Sequence, residues 1–518
     1  MKKLIAIVIT AVLPLVGCSI APDQEEVTLE VEGSQETEAV VEETTAPEPD
    51  PLPTFELSAL REDPEVCKVK EDSRIYAPGD PVVDFSAFDE IRGKYKGNAT
   101  AFPFRPTTLP TFGELNVAVV PVDWSDSVGS QEELDFYRSQ AQTFADFWFM
   151  ASEGNLSVQI HMPDEWQRIS GSVEDFRMTQ EEEGQRYDER PKKQALYDAI
   201  TDASDEAMDY SSIDIVLPVW PLDKTVSEWG GPHEFNFDWN AAMYTDEKTI
   251  YDIAGAGDWF LDHIDYGGPW FYYVHEVGHM LGFVHLPDED GLYNELDWKE
   301  SWWLQNGTSG LDVMGNQDGA VKTIGSWLRW LAGWLDDSQV ICVTEDSIVD
   351  EYFELNHLND ISGGVESLII KLSETQVVVV ESRRWDERFD RPIVHSRDGI
   401  FAYVVTATKG ASQNSQQMIS PRSIQDWVEV NHWRGSQEID GTFCEGDAAN
   451  VSNLRIEAVS LQDGKDYVRV TKTDEWVDPN GPAAGSVVGQ PNFLDNGCVF
   501  PPGADNEYRR SLGLPTSS

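Results

Sequence analysis

The sequence predicts an α+β protein: an α/β half built on a mixed twisted sheet, followed by an all-β, sandwich-like part. Three observations carry this prediction. Between residues 116 and 220, apolar strand-like runs alternate with a helix-spaced run. Beyond residue 337 the helical spacing stops, and short β-rich runs separated by turn residues take over. At 518 residues, the chain also exceeds what one ordinary core covers.

The N-terminus reads as an export signal. Lys2 and Lys3 precede an apolar run over residues 4–16, too short to span a bilayer comfortably. Leu15-Val16-Gly17-Cys18 resembles a bacterial lipobox, which implies a signal peptide over 1–18 and lipid on Cys18; the alternative is an ordinary signal peptide with an incidental cysteine. Residues 19–55 are Glu-, Thr- and Pro-rich and are expected to form a disordered acidic tether. An N-terminal segment follows over 56–115.

The α/β half is assigned to 116–337. N-V-A-V-V-P-V-D-W at 116–124 reads as a buried strand, and 131–151 carries helical spacing through Leu134, Tyr137, Ala141, Phe144 and Trp148. Residues 156–162 and 213–220 read as two further strands. The β-rich part is assigned to 338–477, with runs at 340–343, 367–372, 376–381, 399–405, 453–459 and 467–471. The stretch 478–518 reads as an irregular tail rich in Gly, Pro and Asn.

A net charge of −56, from 93 acidic against 37 basic residues, argues against nucleic acid or anionic lipid as a partner. Any membrane contact is expected through the N-terminal lipid alone. Beyond Cys18, Cys67, Cys342, Cys444 and Cys498 make an even set in an exported chain. Two disulfides are expected, with three connectivities open. Cys67 could alternatively cap a metal as an inhibitory thiolate.

The chemistry centres on H-E-V-G-H-M-L-G-F-V-H, residues 275–285. Gly267-Gly268-Pro269 opens a helix-compatible run, and proline suits a first helical turn. His275 and His279 then share one helical face and can converge on one ion, with Glu276 left to polarise a water and shuttle its proton. Gly282 tolerates the positive φ that an abrupt helix end requires. His285, three residues later, would bring a third imidazole and leave one position open, a donor set that favours Zn2+.

The motif resembles the metzincin clan, whose members place a methionine turn under the metal. Gly310-Leu311-Asp312-Val313-Met314-Gly315 fits that turn, with Met314 as the floor. From 116 to 405 the chain further resembles secreted bacterial metallopeptidases of the immune inhibitor A type. The matching features are V-A-V-V-P-V-D-W, S-E-G-N-L-S-V, the histidine motif, D-V-M-G, S-W-L-R-W-L-A-G-W-L, V-V-V-V-E-S-R-R-W and G-I-F-A-Y-V-V.

This resemblance implies a metzincin-like catalytic fold and endopeptidase activity on protein or peptide substrates. One departure stands out: that family commonly has aspartate as third ligand after a G-x-P, whereas here His285 is followed by Leu286-Pro287-Asp288, so Asp288 is the alternative ligand. No tyrosine follows Met314 closely enough to mark a transition-state donor, and Tyr272 and Tyr273 read as packing residues.

His161, His233, His263, His357, His395 and His432 lack ligand-like spacing. The expected protein is thus a lipid-anchored zinc endopeptidase of the bacterial envelope, facing outside the cytoplasm. The alternative is a surface binding or adhesion lipoprotein with a structural zinc site. A latent enzyme that requires removal of the region before residue 116, with Arg92-Gly93-Lys94 as a cleavage sequence, is a further reading.

Overall fold

A computed structural model describes residues 55–70, 100–104, 109–177, 190–222, 241–255, 269–283, 286, 312–315, 323–361, 363–384, 386, 388–389, 398–409, 415–419, 421, 442–462 and 464–480. In chain order the first elements are α1 (Pro64–Cys67), β1 (Gly113–Asp123), α2 (Gln131–Ala151), β2 (Leu156–His161), β3 (Gln167–Arg168), α3 (Arg190–Ser204), β4 (Ile215–Val219), β5 (Met243–Tyr244), β6 (Thr249–Ile250), α4 (Trp270–Leu281) and α5 (Ser326–Leu331). Strands then predominate: β7 (Val340–Thr344), β8 (Asp350–Asn356), β9 (Ser367–Lys371), β10 (Gln376–Arg383), β11 (Gly399–Thr406), β12 (Gln416–Ile419), β13 (Ala448–Gln462) and β14 (Lys465–Val477). The fold is mixed α/β, with few helices and several sheets.

β1 is the centre of a parallel sheet, pairing with β2, β3 and β4. Parallel neighbours need a crossover, and α2 supplies it between β1 and β2. The helix starts where Ser130 Oγ accepts the Glu133 N–H at 3.2 Å and the Glu133 carboxylate accepts the Ser130 N–H at 2.7 Å, a reciprocal cap. Its Leu134, Tyr137, Ala141, Phe144 and Trp148 are all buried, as their spacing predicts.

Two more sheets follow. β12-β11-β10-β9-β7 form a five-stranded sheet, antiparallel except for β7 beside β9, and β13-β14-β8 form an antiparallel three-stranded one. Alternation along the strands places the five-stranded sheet between two cores. Val377 and Val379 of β10, with Phe401, Tyr403 and Val405 of β11, join the core of the α/β half. Val378 and Val380, with Ile400, Ala402 and Val404, join a second core shared with the three-stranded sheet. The V-V-V-V run is therefore uniformly apolar because both of its faces are covered. Each such side chain contributes roughly 1.5–3 kcal/mol by leaving water.

The described residues all belong to one compact unit that begins at Phe55. Its first segment lies along the β part: the Ser58 N–H donates to Tyr352 O, the Glu62 N–H to Cys342 O, and Phe55 stacks on Tyr352 with ring centroids 5.2 Å apart. A disulfide joins Cys67 of α1 to Cys342 of β7. That bond leaves Cys67 no thiolate with which to cap a metal. Cys444 is also disulfide-bonded, and both Cys18 and Cys498 lie outside the described residues.

Candidate metal centre

Helix α4 carries the first two histidines. It begins after Pro269, and the Trp270 N–H donates to Gln140 Oε1 of α2 at 3.2 Å. It ends at Gly282, which sits at φ 109°, while the Gly282 and Phe283 N–H groups return to the carbonyls of His279 and Gly278. A side chain at 282 would be strained in that left-handed conformation, so the glycine is what stops the helix. Beyond the helix, Leu286 donates its N–H to Met314 O at 3.1 Å.

Spacing of four residues brings the two imidazoles together, with His275 Nε2 and His279 Nε2 3.1 Å apart. Their other nitrogens are held by backbone carbonyls. His275 Nδ1 donates to Val313 O at 2.7 Å, and His279 Nδ1 donates to Phe283 O at 3.1 Å. A carbonyl can only accept, so each Nδ1 carries a proton and the two Nε2 atoms face one another. Nitrogens each about 2.05 Å from a tetrahedral zinc stand about 3.3 Å apart, close to the separation here. Burial pushes the His279 imidazole down to about 4, against the pull of its bond to Phe283. The ring is therefore neutral at pH 7, the state a ligand requires.

Glu276 is half-buried and lies between the histidines in sequence. Met314 is fully buried beneath α4, so close that a β-carbon on Gly278 would overlap its sulfur. Tyr272 and Tyr273 are buried. Among the described residues, no group of three His, Cys, Asp or Glu side chains is placed to hold an ion. The third ligand expected from sequence, His285, and its alternative Asp288 lie outside the described residues. The donors that are described, two imidazoles with each Nδ1 held by a backbone carbonyl and their Nε2 atoms 3.1 Å apart, fit zinc.

The loop under the imidazoles is held by Asp312, a residue that spacing did not single out. Its carboxylate accepts the Met314 N–H at 2.8 Å and the Gly325 N–H at 2.7 Å. Burial pushes this carboxyl up to about 6, opposed by the Arg383 guanidinium and the two N–H donors. Gly278 was likewise missed, although a glycine inside a helix marks a close approach in its own right.

The remaining histidines have other partners or lie elsewhere. His161 Nε2 meets Asn116 Oδ1 at 2.8 Å. His357 bridges to Ser382 in the β part, where burial and Arg384 lower its pKa. His233, His263, His395 and His432 lie outside the described residues. Compared with protein-family models and with curated proteins, the sequence has no match to either.

Proposed function

We propose that this chain is a zinc-dependent endopeptidase acting on protein or peptide substrates outside the cytoplasm, with His275, His279 and His285 as ligands and Glu276 as the base. The observation that carries the reading is the pair of Nε2 atoms 3.1 Å apart, each ring oriented by a backbone carbonyl on its Nδ1. A bound zinc would supply Lewis acidity toward water and the scissile carbonyl.

The protein's own residues do the rest. His275 is oriented by Val313, and His279 by Phe283 at the helix end. Glu276 takes a proton from the attacking water and delivers it to the leaving amine. A structural zinc site has no use for a base at that position. The Cys67–Cys342 disulfide supports an oxidising compartment, and Cys18 is the proposed lipid attachment that holds the chain at the envelope.

The test is metal analysis with cleavage of an unfolded protein such as casein, with and without chelator, on wild type and Glu276→Gln. Expected are stoichiometric zinc in both proteins, and chelator-sensitive cleavage in the wild type only. Full cleavage by Glu276→Gln would remove the mechanism. Bound zinc without cleavage by the wild type would favour a surface binding protein with a structural site.

A further inference from the structure

Helix α5 opens with three N–H groups that cannot be satisfied within the helix. Each is taken by a side chain from a different segment: Gly325 N–H by Asp312 Oδ2 at 2.7 Å, Ser326 N–H by Glu381 Oε2 of β10 at 2.7 Å, and Trp327 N–H by Tyr403 Oη of β11 at 3.2 Å. All three acceptors are buried. Tyr403 Oη donates in turn to Glu381 Oε2 at 3.3 Å, and Arg383 Nε donates to Glu381 Oε1 at 2.6 Å while its guanidinium lies over Phe401.

Asp312 joins this cap to the metal centre. Its second oxygen accepts the Met314 N–H. Val313, the residue between, gives its N–H to Thr323 O at 2.9 Å and its carbonyl to His275 Nδ1. Hydrogen bonds joined by short stretches of backbone thus run from the five-stranded sheet, through the start of α5 and the Asp312 carboxylate, to the Val313–Met314 peptide and the ring of His275. A carboxylate that accepts two backbone N–H groups holds them more firmly than a neutral acceptor would.

We infer that Asp312 is a positioning residue for the His275 imidazole, fixing its tautomer and orientation through Val313, with Glu381 and Tyr403 of the β part buttressing it from behind. The inference rests on the proposed metal site and extends it: the β part helps to set the metal geometry, whereas a binding appendage would leave it untouched. Ligand histidines are commonly oriented by a hydrogen bond on the distal nitrogen, and loss of such support weakens metal binding by about 10- to 100-fold.

Asp312→Asn is the informative variant because it keeps size and shape. Its amide has one oxygen, so only one of the two N–H groups retains an acceptor and the other meets an NH2. On the full chain, zinc affinity is read by competition with a chromophoric chelator, and ligand geometry by the visible absorption of the Co2+-substituted protein. Expected for Asp312→Asn are a zinc dissociation constant raised by about 10- to 100-fold and an altered cobalt spectrum. Tyr403→Phe is expected to shift both in the same direction by a smaller amount.

An Asp312→Asn protein that unfolds more easily, yet matches wild type in zinc affinity and cobalt spectrum, would overturn the inference and leave the functional reading intact. A wild-type chain that takes up neither metal would overturn both. If Asp312→Asn does not fold, Glu381→Gln and Tyr403→Phe decide: unchanged zinc affinity in both overturns the inference, and weakened affinity supports it.

Discussion

Met314 stands directly behind Gly278, its methyl carbon so near that a β-carbon at 278 would come within 2.9 Å of it. Gly278→Ala therefore sets two effects against each other. Alanine is favoured over glycine inside a helix by about 1 kcal/mol, whereas overpacking a filled site costs about 1–3 kcal/mol. Met314 is fully buried, so its thioether cannot move without displacing neighbours, and the expected result is net destabilisation of roughly 1–2 kcal/mol. Urea midpoints measure it. Adding Met314→Ala should cost less in the Gly278→Ala background than alone, because the shorter side chain makes room. A Gly278→Ala protein at least as stable as wild type would refute the crowding.

Arg329 joins the end of α2 to the segment after β8. All five of its N–H groups are used: Nε to Ile324 O, Nη1 to Glu153 Oε1 and Leu358 O, and Nη2 to Thr323 Oγ1 and Asn359 Oδ1. The side chain is fully buried. Arg329→Met strands a buried carboxylate and two carbonyls, and should destabilise the fold by about 3–5 kcal/mol. Arg329→Lys should fare little better, since one ammonium cannot reproduce the planar fork. Denaturant unfolding of the two variants tests this, and near-wild-type stability for the lysine variant would show that charge alone suffices.

Glu366 provides the pH dependence. Burial, and then the Glu153 carboxylate, push its carboxyl from an ordinary 4.5 up to about 8, against Arg329 and the hydrogen bond from Gln339. Between those values the folded chain keeps a proton that the unfolded chain has lost. Stability therefore falls as pH rises through that window, by at most about 1.4 kcal/mol per pH unit. Glu366→Gln is neutral throughout and should remove this slope, gaining on wild type between pH 5 and pH 8. Unfolding curves at the two pH values provide the check. A wild-type-to-variant difference that does not change with pH would rule out a protonated Glu366.

The elements that local pattern specifies were legible in the sequence. Helix α2 occupies residues 131–151 as its apolar spacing predicts, and Gly282 ends α4 because few other residues sit easily at φ 109°. The pairing of His275 with His279 follows from one helical turn. Other features depend on distant residues and leave little trace in local pattern. Asp312 reads as one more loop aspartate until Gly325, Glu381 and Tyr403 gather around it.

Glu153 and Arg329 belong to two separate motifs, S-E-G-N-L-S-V and S-W-L-R-W-L, whose meeting no spacing announces. Helix α3 was not anticipated, because its run R-P-K-K-Q-A-L-Y-D-A-I carries few apolar residues and its Leu196, Tyr197 and Ile200 make only a short stripe. An even cysteine count implied disulfides, but only proximity could pair Cys67 with Cys342.

That pairing also determines how the molecule carries mechanical load. The disulfide closes a loop spanning 275 residues, and helix α4 with His275 and His279 lies inside it. Tension applied at Phe55 and resisted at β14 would pass from Cys67 directly into β7, leaving residues 68–341 outside the line of force. Tension entering at Phe55 would thus bypass the covalent segment that carries the histidines and load the five-stranded sheet first, for as long as that sulfur–sulfur bond stays oxidised.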